Sequence, residues 1–270
     1  ETKQGSATGE LQVSGSIQAG TVGRTEKIED NMLSGPQFAE LTAEATQNSF
    51  GLPPQSPFIF GEAFPTPDEA ETFPWVQEVQ QTGISRSGNL SISGGDDDTN
   101  FFLSGTWEIN ESFVIENRFD RFNGRINVTQ DVKDWLQVGT NTGITRTQDF
   151  RVASDNLFAA PLTSAALQTP TVPIRNEDGS FNLNNTPFWG NTPNVAFTAR
   201  EDDVTNRAWR ILSTPFIEAT PLQNIIQGDL TLRAEGGIDV LTVDAFNRFN
   251  RFEGDGTPDG FASRNAEEER

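Results

Sequence analysis

The segment Phe181-Asn-Leu-Asn-Asn-Thr-Pro-Phe-Trp-Gly-Asn191 carries the residue types that bind sugars. Flat aromatic faces at Phe181, Phe188 and Trp189 can cover the apolar side of a sugar ring. Amides such as Asn191 donate and accept hydrogen bonds to hydroxyls. These four residues are the candidate substrate contacts, weighed against a surface loop that simply packs on its neighbours. Asp96-Asp97-Asp98 and Asp255-Gly-Thr-Pro-Asp259 offer oxygen ligands to a structural Ca²⁺. Neither follows the twelve-residue calcium-loop pattern. Asp and Gly also build tight bends, which is the reading taken, so no cofactor is expected and structural Ca²⁺ stays as the alternative. Arg118, Arg121 and Arg125 are expected to form one row that pairs with acids on adjacent strands.

Catalytic chemistry has little to work with. Cys and His are both absent, which removes disulfides, thiolate nucleophiles, His-based triads and the usual zinc sites. Two carboxylates alone suffice for glycoside hydrolysis, but 39 acids scattered along the chain single out no pair. No catalytic residue is assigned. With 19 basic residues the formal charge is −20, a field that repels nucleic acid, whose binding rests on phosphate neutralisation by Lys and Arg.

The elements that must hold these residues are read from period-two alternation. In 99–109, Phe101, Leu103, Gly105, Trp107 and Ile109 share one face, with Ser104, Thr106 and Glu108 on the other. Seven segments qualify, near 10–23, 84–94, 99–110, 113–131, 135–148, 205–219 and 225–250. Several match the roughly 9–11 residues of a membrane-spanning strand. Their polar faces carry the Arg, Asn, Gln and Glu that a wet lumen needs. A soluble sandwich predicts the same alternation with shorter strands. Only 34% of residues are hydrophobic and mean hydropathy is −0.50, so no window approaches the ~18 apolar residues of a membrane helix.

Loop lengths add a second signal. Connections near 94–99, 131–135 and 219–225 are tight, whereas 24–83 and 149–204 are long. With the first strand rising from the periplasm, all tight turns fall on that side and both long loops fall outside, as in outer-membrane barrels. Three short helices are expected in the long loops: one capped by Ser34 with Phe38, Leu41 and Ala45 at helical spacing, one from Asp68 to about Gln81, and one from Asp155 to Leu167. Trp107, Trp135 and Trp209 lie on or beside strands, where an interfacial aromatic belt explains them better than ligand stacking.

Several stretches resemble, in family order, the first third of the barrel in SusC/RagA-type TonB-dependent transporters of Bacteroidota. Thr2-Lys-Gln-Gly is similar to the end of the family's plug domain, and Gln37-Phe-Ala-Glu-Leu41 to a helix of its first loop. Trp75-Val-Gln-Glu-Val-Gln-Gln-Thr-Gly-Ile-Ser85 and Asn89-Leu-Ser-Ile-Ser-Gly-Gly95 resemble the run entering its second strand. Phe119-Asp-Arg-Phe-Asn-Gly-Arg-Ile-Asn127 and Asp134-Trp-Leu-Gln-Val-Gly139 resemble the next hairpin, and Asn176–Asn182 and Gly254–Arg264 its loops. Where the family often carries Tyr, this chain has Phe or Trp.

The resemblance implies an all-β fold: a partial antiparallel transmembrane β-barrel of about seven strands, with short helices in long extracellular loops. Residues 1–8 would end the plug and 9–270 would form the N-terminal portion of the barrel. The first residues show no signal peptide, and the acidic end shows no closing strand, so the chain reads as cut from something longer. The implied role is nutrient uptake across the cell outer membrane, of an oligosaccharide in preference to a peptide, with no chemical conversion. The implied partners are outer-membrane lipid, a SusD-like surface lipoprotein and the TonB–ExbB–ExbD complex, the last acting through plug and N-terminal elements outside this sequence. A non-transporting envelope or adhesive β-protein and a carbohydrate-binding β-domain remain as alternatives.

Overall fold

Alternation of apolar and polar residues becomes a structure once register fixes which side chains share a face. The computed structural model describes residues 10–24, 32–53, 65–152, 160–183, 193–221, 230–252 and 258–269. Its strands are β1 Gln12–Val22, β2 Gly83–Gly95, β3 Thr99–Glu111, β4 Arg118–Lys133, β5 Leu136–Arg151, β6 Asp203–Ala219, β7 Leu232–Glu235, β8 Ile238–Phe249 and β9 Phe261–Glu269. They form one antiparallel sheet in the order β1-β2-β3-β4-β5-β6-β8-β9, with β7 also paired to β6. Each strand lies beside its sequence neighbour, an up-and-down meander.

Register aligns the apolar residues into transverse rows. One row runs Gly15, Leu90, Gly105, Gly124, Ile144, Ile211, Val240, and the next Val13, Ile92, Leu103, Ile126, Thr142, Ser213, Ile238. The other face shows Ser16, Asn89, Thr106, Asn123, Thr145 and Arg210 in a single row. A sandwich would bury the first set under a second sheet. Among the described residues no second layer covers it: Leu90 is 53% exposed, Ile211 42% and Ile238 54%. The sheet is a single-layered wall.

Burial is concentrated instead in the connections at one edge. The buried cluster comprises Trp75, Val76, Val79, Ile115, Ala165, Ile174, Val195, Ala196 and Ala199, all from loops. Among the described residues four helices contribute to these loops: α1 Gly35–Phe50, α2 Trp75–Glu78, α3 Pro161–Leu167 and α4 Val195–Glu201. Helix α1 starts where expected, with Ser34 and Gln37 forming a reciprocal capping box, and runs on to a left-handed Gly51.

Four expectations need correction. The fourth strand does not begin at 113. Ser112 to Asn117 form a turn closed by the Ser112 amide donating to the Asn117 carbonyl at 2.8 Å, with Glu116 at φ 56°. The helix expected from Asp68 to Gln81 shrinks to α2: Pro74 keeps Phe73 extended, with the Phe73 N–H donating to Pro170 O at 2.8 Å, and the β3–β4 turn takes the other end, where Gln81 N–H donates to Phe113 O at 2.8 Å and Ile115 N–H to Val79 O at 3.1 Å. The segment 225–250 is described from 230 onward and contains β7 and β8 in continuous register, interrupted opposite Pro215, which has no N–H to donate. The acidic end is not a bare tail: Phe261–Glu269 pairs with β8 as a further strand.

On the apolar face glycine serves two opposite purposes. At Gly88 an added Cβ would lie 2.6 Å from Nε1 of Trp107, whose indole covers the glycine across the strand pair. At Gly105 the nearest atom would be 4.0 Å away. Gly88→Val should therefore displace the indole and destabilise the barrel by roughly 1–3 kcal/mol, the usual range for overpacking, whereas Gly105→Val should change stability little. Urea unfolding of the intact barrel protein, followed by Trp fluorescence, checks the contrast.

Candidate functional site

The rows that define the wall also set its depth. Beyond the central apolar rows, toward the long loops, comes Ile17, Gly88, Trp107, Phe122, Arg146, Trp209, Thr242. The following row is charged, with Arg86, Asp120, Arg207 and Asp244 among its members. Trp107 and Trp209 are 39% and 48% exposed, and the Arg146 guanidinium lies 5.4 Å from the Trp209 ring centroid. At the opposite edge Trp135 occupies the β4–β5 turn, with the Lys133 ammonium 5.6 Å from its ring. Ten residues separate Leu136 from Arg146 on β5. At ~3.3 Å per residue and a tilt of about 40°, that is roughly 25 Å, the height of an outer-membrane apolar band.

Polar groups within the apolar band satisfy one another. Thr140, Thr142 and Ser213, all on the apolar face, hydrogen-bond at 2.8–3.3 Å. The polar face carries a lattice of amides and hydroxyls: Asn89 Nδ2 donates to Ser16 Oγ at 2.6 Å, Asn123 Nδ2 to Thr106 Oγ1 at 3.0 Å, and Thr145 Oγ1 to Asn123 Oδ1 at 3.0 Å. Arg118, Arg121 and Arg125 do not form one row. An odd spacing puts Arg118 on the opposite face from the other two, and each bonds two residues along its own strand: to Asp120 at 2.7 Å, Asn123 at 3.3 Å and Asn127 at 3.2 Å. Cross-strand ion pairs occur elsewhere, as between Arg210 and Asp239 at 2.6 Å and Arg264 and Asp244 at 2.7 Å.

Above the charged row the two long loops are locked together. Trp75, 2% exposed, donates its indole N–H to Val172 O at 3.1 Å. Asn194 caps α4 through Phe197 N–H and donates to Ile174 O at 2.8 Å. Glu78 pairs with Arg175 at 3.1 Å and Arg200 at 3.2 Å. Phe181 lies in this junction, with the Arg175 guanidinium 4.0 Å from its ring, Arg200 at 5.7 Å and Phe197 edge-on at 5.6 Å. One face of Phe181 is thus occupied from within, and the residue anchors the start of the loop 181–191. Phe188, Trp189 and Asn191 lie outside the described residues. The nearby turn is held by Asp178, which accepts from the Ser180 hydroxyl and amide; these bonds keep its carboxyl below the usual carboxylate range.

At the other edge, Asp96 acts as a turn residue: its carboxylate accepts from the amides of Asp98 and Thr99 at 3.0 and 2.7 Å. Asp255 lies outside the described residues. Sequence reasoning missed α4 and the Glu78–Arg175–Arg200 junction. Asn194 followed by Val195-Ala-Phe-Thr-Ala was the available helix signal, whereas three charges from separate loops give no local pattern.

Single-layered sheet, apolar exterior band and aromatic edges together define a class: part of the wall of a large transmembrane β-barrel. No family model matches the chain. By sequence it is similar to TonB-dependent receptor P3 of Formosa agariphila, 27% identical over 115 residues, covering 41% of this chain and 12% of the receptor. By fold it is similar to the RagAB peptide transporter, with a TM-score of 0.73 at 19% identity. That match covers 98% of this chain and 32% of the transporter chain. The RagAB peptide importer in its "open-open" state gives 0.70 at 20% identity. The chain spans about a third of the length of these solved relatives.

Trp75 is the keystone between the loops. Trp75→Ala in the intact barrel protein should cost the loop assembly about 3–5 kcal/mol and expose it to protease, while the barrel itself keeps its heat-modifiable gel migration. Glu78→Gln should act in the same direction but weakly, because its partly exposed ion pairs are worth about 0–1 kcal/mol.

Proposed function

We propose that residues 9–270 form the early barrel wall, and residues 1–8 the end of the plug, of a SusC-like TonB-dependent nutrient transporter in the outer membrane. The observation that carries this reading is the uncovered apolar band about 25 Å high, bounded by Trp107 and Trp209 on one side and Trp135 on the other. Water would not tolerate such a face on a soluble domain, and an adhesive or carbohydrate-binding sandwich would have buried it. The likeness to a TonB-dependent receptor and to RagAB supports the same reading.

In this reading the long loops face outward and help capture substrate together with a SusD-like lipoprotein, and the TonB–ExbB–ExbD complex supplies the energy. Transport needs no bond-making step and no cofactor. Oligosaccharide is the substrate favoured by the chemistry. Among its charges the polar face carries a lattice of neutral amides and hydroxyls, and the loop 181–191 combines aromatics with asparagines. Peptide is the second reading, favoured by the likeness to a peptide transporter.

The full-length protein should fractionate with the outer membrane and migrate faster on gels before boiling than after. Recovery in the soluble periplasmic fraction would rule the transporter out. Binding of oligosaccharide and peptide libraries to the purified protein separates the two substrate classes. Trp189→Ala should weaken binding of the preferred ligand by about tenfold, equivalent to ~1.4 kcal/mol; unchanged affinity removes Trp189 from the site.

A further inference from the structure

On the apolar face two glycines stand side by side. Gly105 and Gly124 are cross-strand partners, and a side chain at either would meet only open space or ordinary contact. Their bare backbone forms the floor of a trough of about 210 Å³ walled by Leu90, Leu103, Ile126 and Ile144. One row further toward the long loops a second concavity of about 180 Å³ follows, lined by Trp107, Asp120, Phe122, Arg146 and Gln148. The two lie on successive rows of β3, β4 and β5, the apolar one below the amphipathic one.

The upper concavity also touches Glu108 and Arg121, which stand opposite each other across β3 and β4 with opposite charges. Asp120 is engaged by Arg118 at 2.7 Å. Arg146 is exposed, and its hydrogen bond among the described residues is to the neutral Gln148 at 3.3 Å. Its guanidinium rests against Trp209, held at the depth of the aromatic belt. A cation without a carboxylate partner, at headgroup depth and directly above an apolar slot, complements an anionic amphiphile.

We infer that the two concavities form a site for a phosphorylated membrane lipid: one acyl chain lies in the Gly105–Gly124 trough and the lipid phosphate sits on Arg146. This rests on the outer-membrane reading above, in which the belt of Trp107 and Trp209 faces the outer leaflet and the lipid is the phosphorylated glycolipid, lipid A, of that leaflet. A second copy of the barrel is the competing occupant. A two-fold contact centred on Arg146 would set that cation against its own copy, and one centred elsewhere in the row would set it against an uncharged neighbour such as Phe122 or Trp209, whereas the lipid phosphate neutralises it.

The test uses the full-length protein purified from outer membranes, delipidated stepwise and exposed to lipid A or to its dephosphorylated form, with bound mass read by native mass spectrometry. Wild type should retain one lipid A that Gly124→Val, or Gly105→Val should that variant misfold, does not. Arg146→Gln should weaken retention about tenfold. Dephosphorylated lipid should bind wild type no better than intact lipid A binds Arg146→Gln. Equal retention by wild type and variants that all remain heat-modifiable barrels overturns the site, and equal retention of both lipids overturns the phosphate assignment. An added mass equal to the protein itself gives the trough to a second barrel and also overturns the site. A wild-type chain that is not heat-modifiable overturns the outer-membrane reading itself, a result distinct from these.

Discussion

A backbone placed in hydrocarbon must satisfy every N–H and C=O from within the protein, and this requirement organises the whole wall. Each strand from β1 to β9 meets it by pairing laterally, with β7 and β8 sharing β6 as one interrupted partner. The same requirement explains the hydroxyl cluster of Thr140, Thr142 and Ser213 on the apolar face: groups that water would have solvated are solvated by one another. It also makes demands at the two ends of the sheet. β1 and β9 do not pair with each other, and an unpaired strand edge is not tolerated in lipid, so the wall needs further strands on both sides to close.

Lateral pairing frees side chains from their usual task of holding the fold together. In a water-soluble protein the apolar residues form a core and the loops are dressed around it. Here the strands carry apolar residues that remain exposed, while the loops own the buried cluster around Trp75, Val79 and Val195. The long loops therefore behave as a small folded domain of their own, stitched by Glu78 to Arg175 and Arg200 and by Gln168 to Pro193 O at 2.7 Å. Such an assembly holds the loops on a rigid base rather than on free tethers, and under the proposed function that limits the ordering entropy a ligand must overcome.

Strand positions were legible in the sequence because period-two alternation is imposed locally by lipid on one side and water on the other. Trp107, Phe122 and Trp209 fall into one row from that pattern alone, once register is known. Failures came where that constraint lapses. β9 carries Glu267, Glu268 and Glu269 in succession and reads as a tail. Residues 113–117 share the apolar look of a strand, yet Val114 and Ile115 are buried by the loops. The candidate site was legible in residue type but not in arrangement: Phe181 was recognisable as an aromatic, but its cover by Arg175 depends on chain folding over the Asn176–Ser180 turn.

Glycine shows how much of the surface is decided by register and not by composition. Gly88, Gly94 and Gly139 each stand directly across from an aromatic residue, Trp107, Phe101 and Phe216, whose ring fills the missing side-chain volume. Such cover shields the backbone and pins the strands in phase. Gly105 and Gly124 face each other, so neither has a ring to cover it, and the wall is locally thinned to bare backbone. A slip of one residue between β3 and β4 would leave Gly105 and Gly124 on opposite faces and erase the trough. A concavity on the lipid side is thus specified by the same hydrogen-bond ladder that closes the wall, and whatever fills it must be drawn from the membrane that the ladder was built to cross.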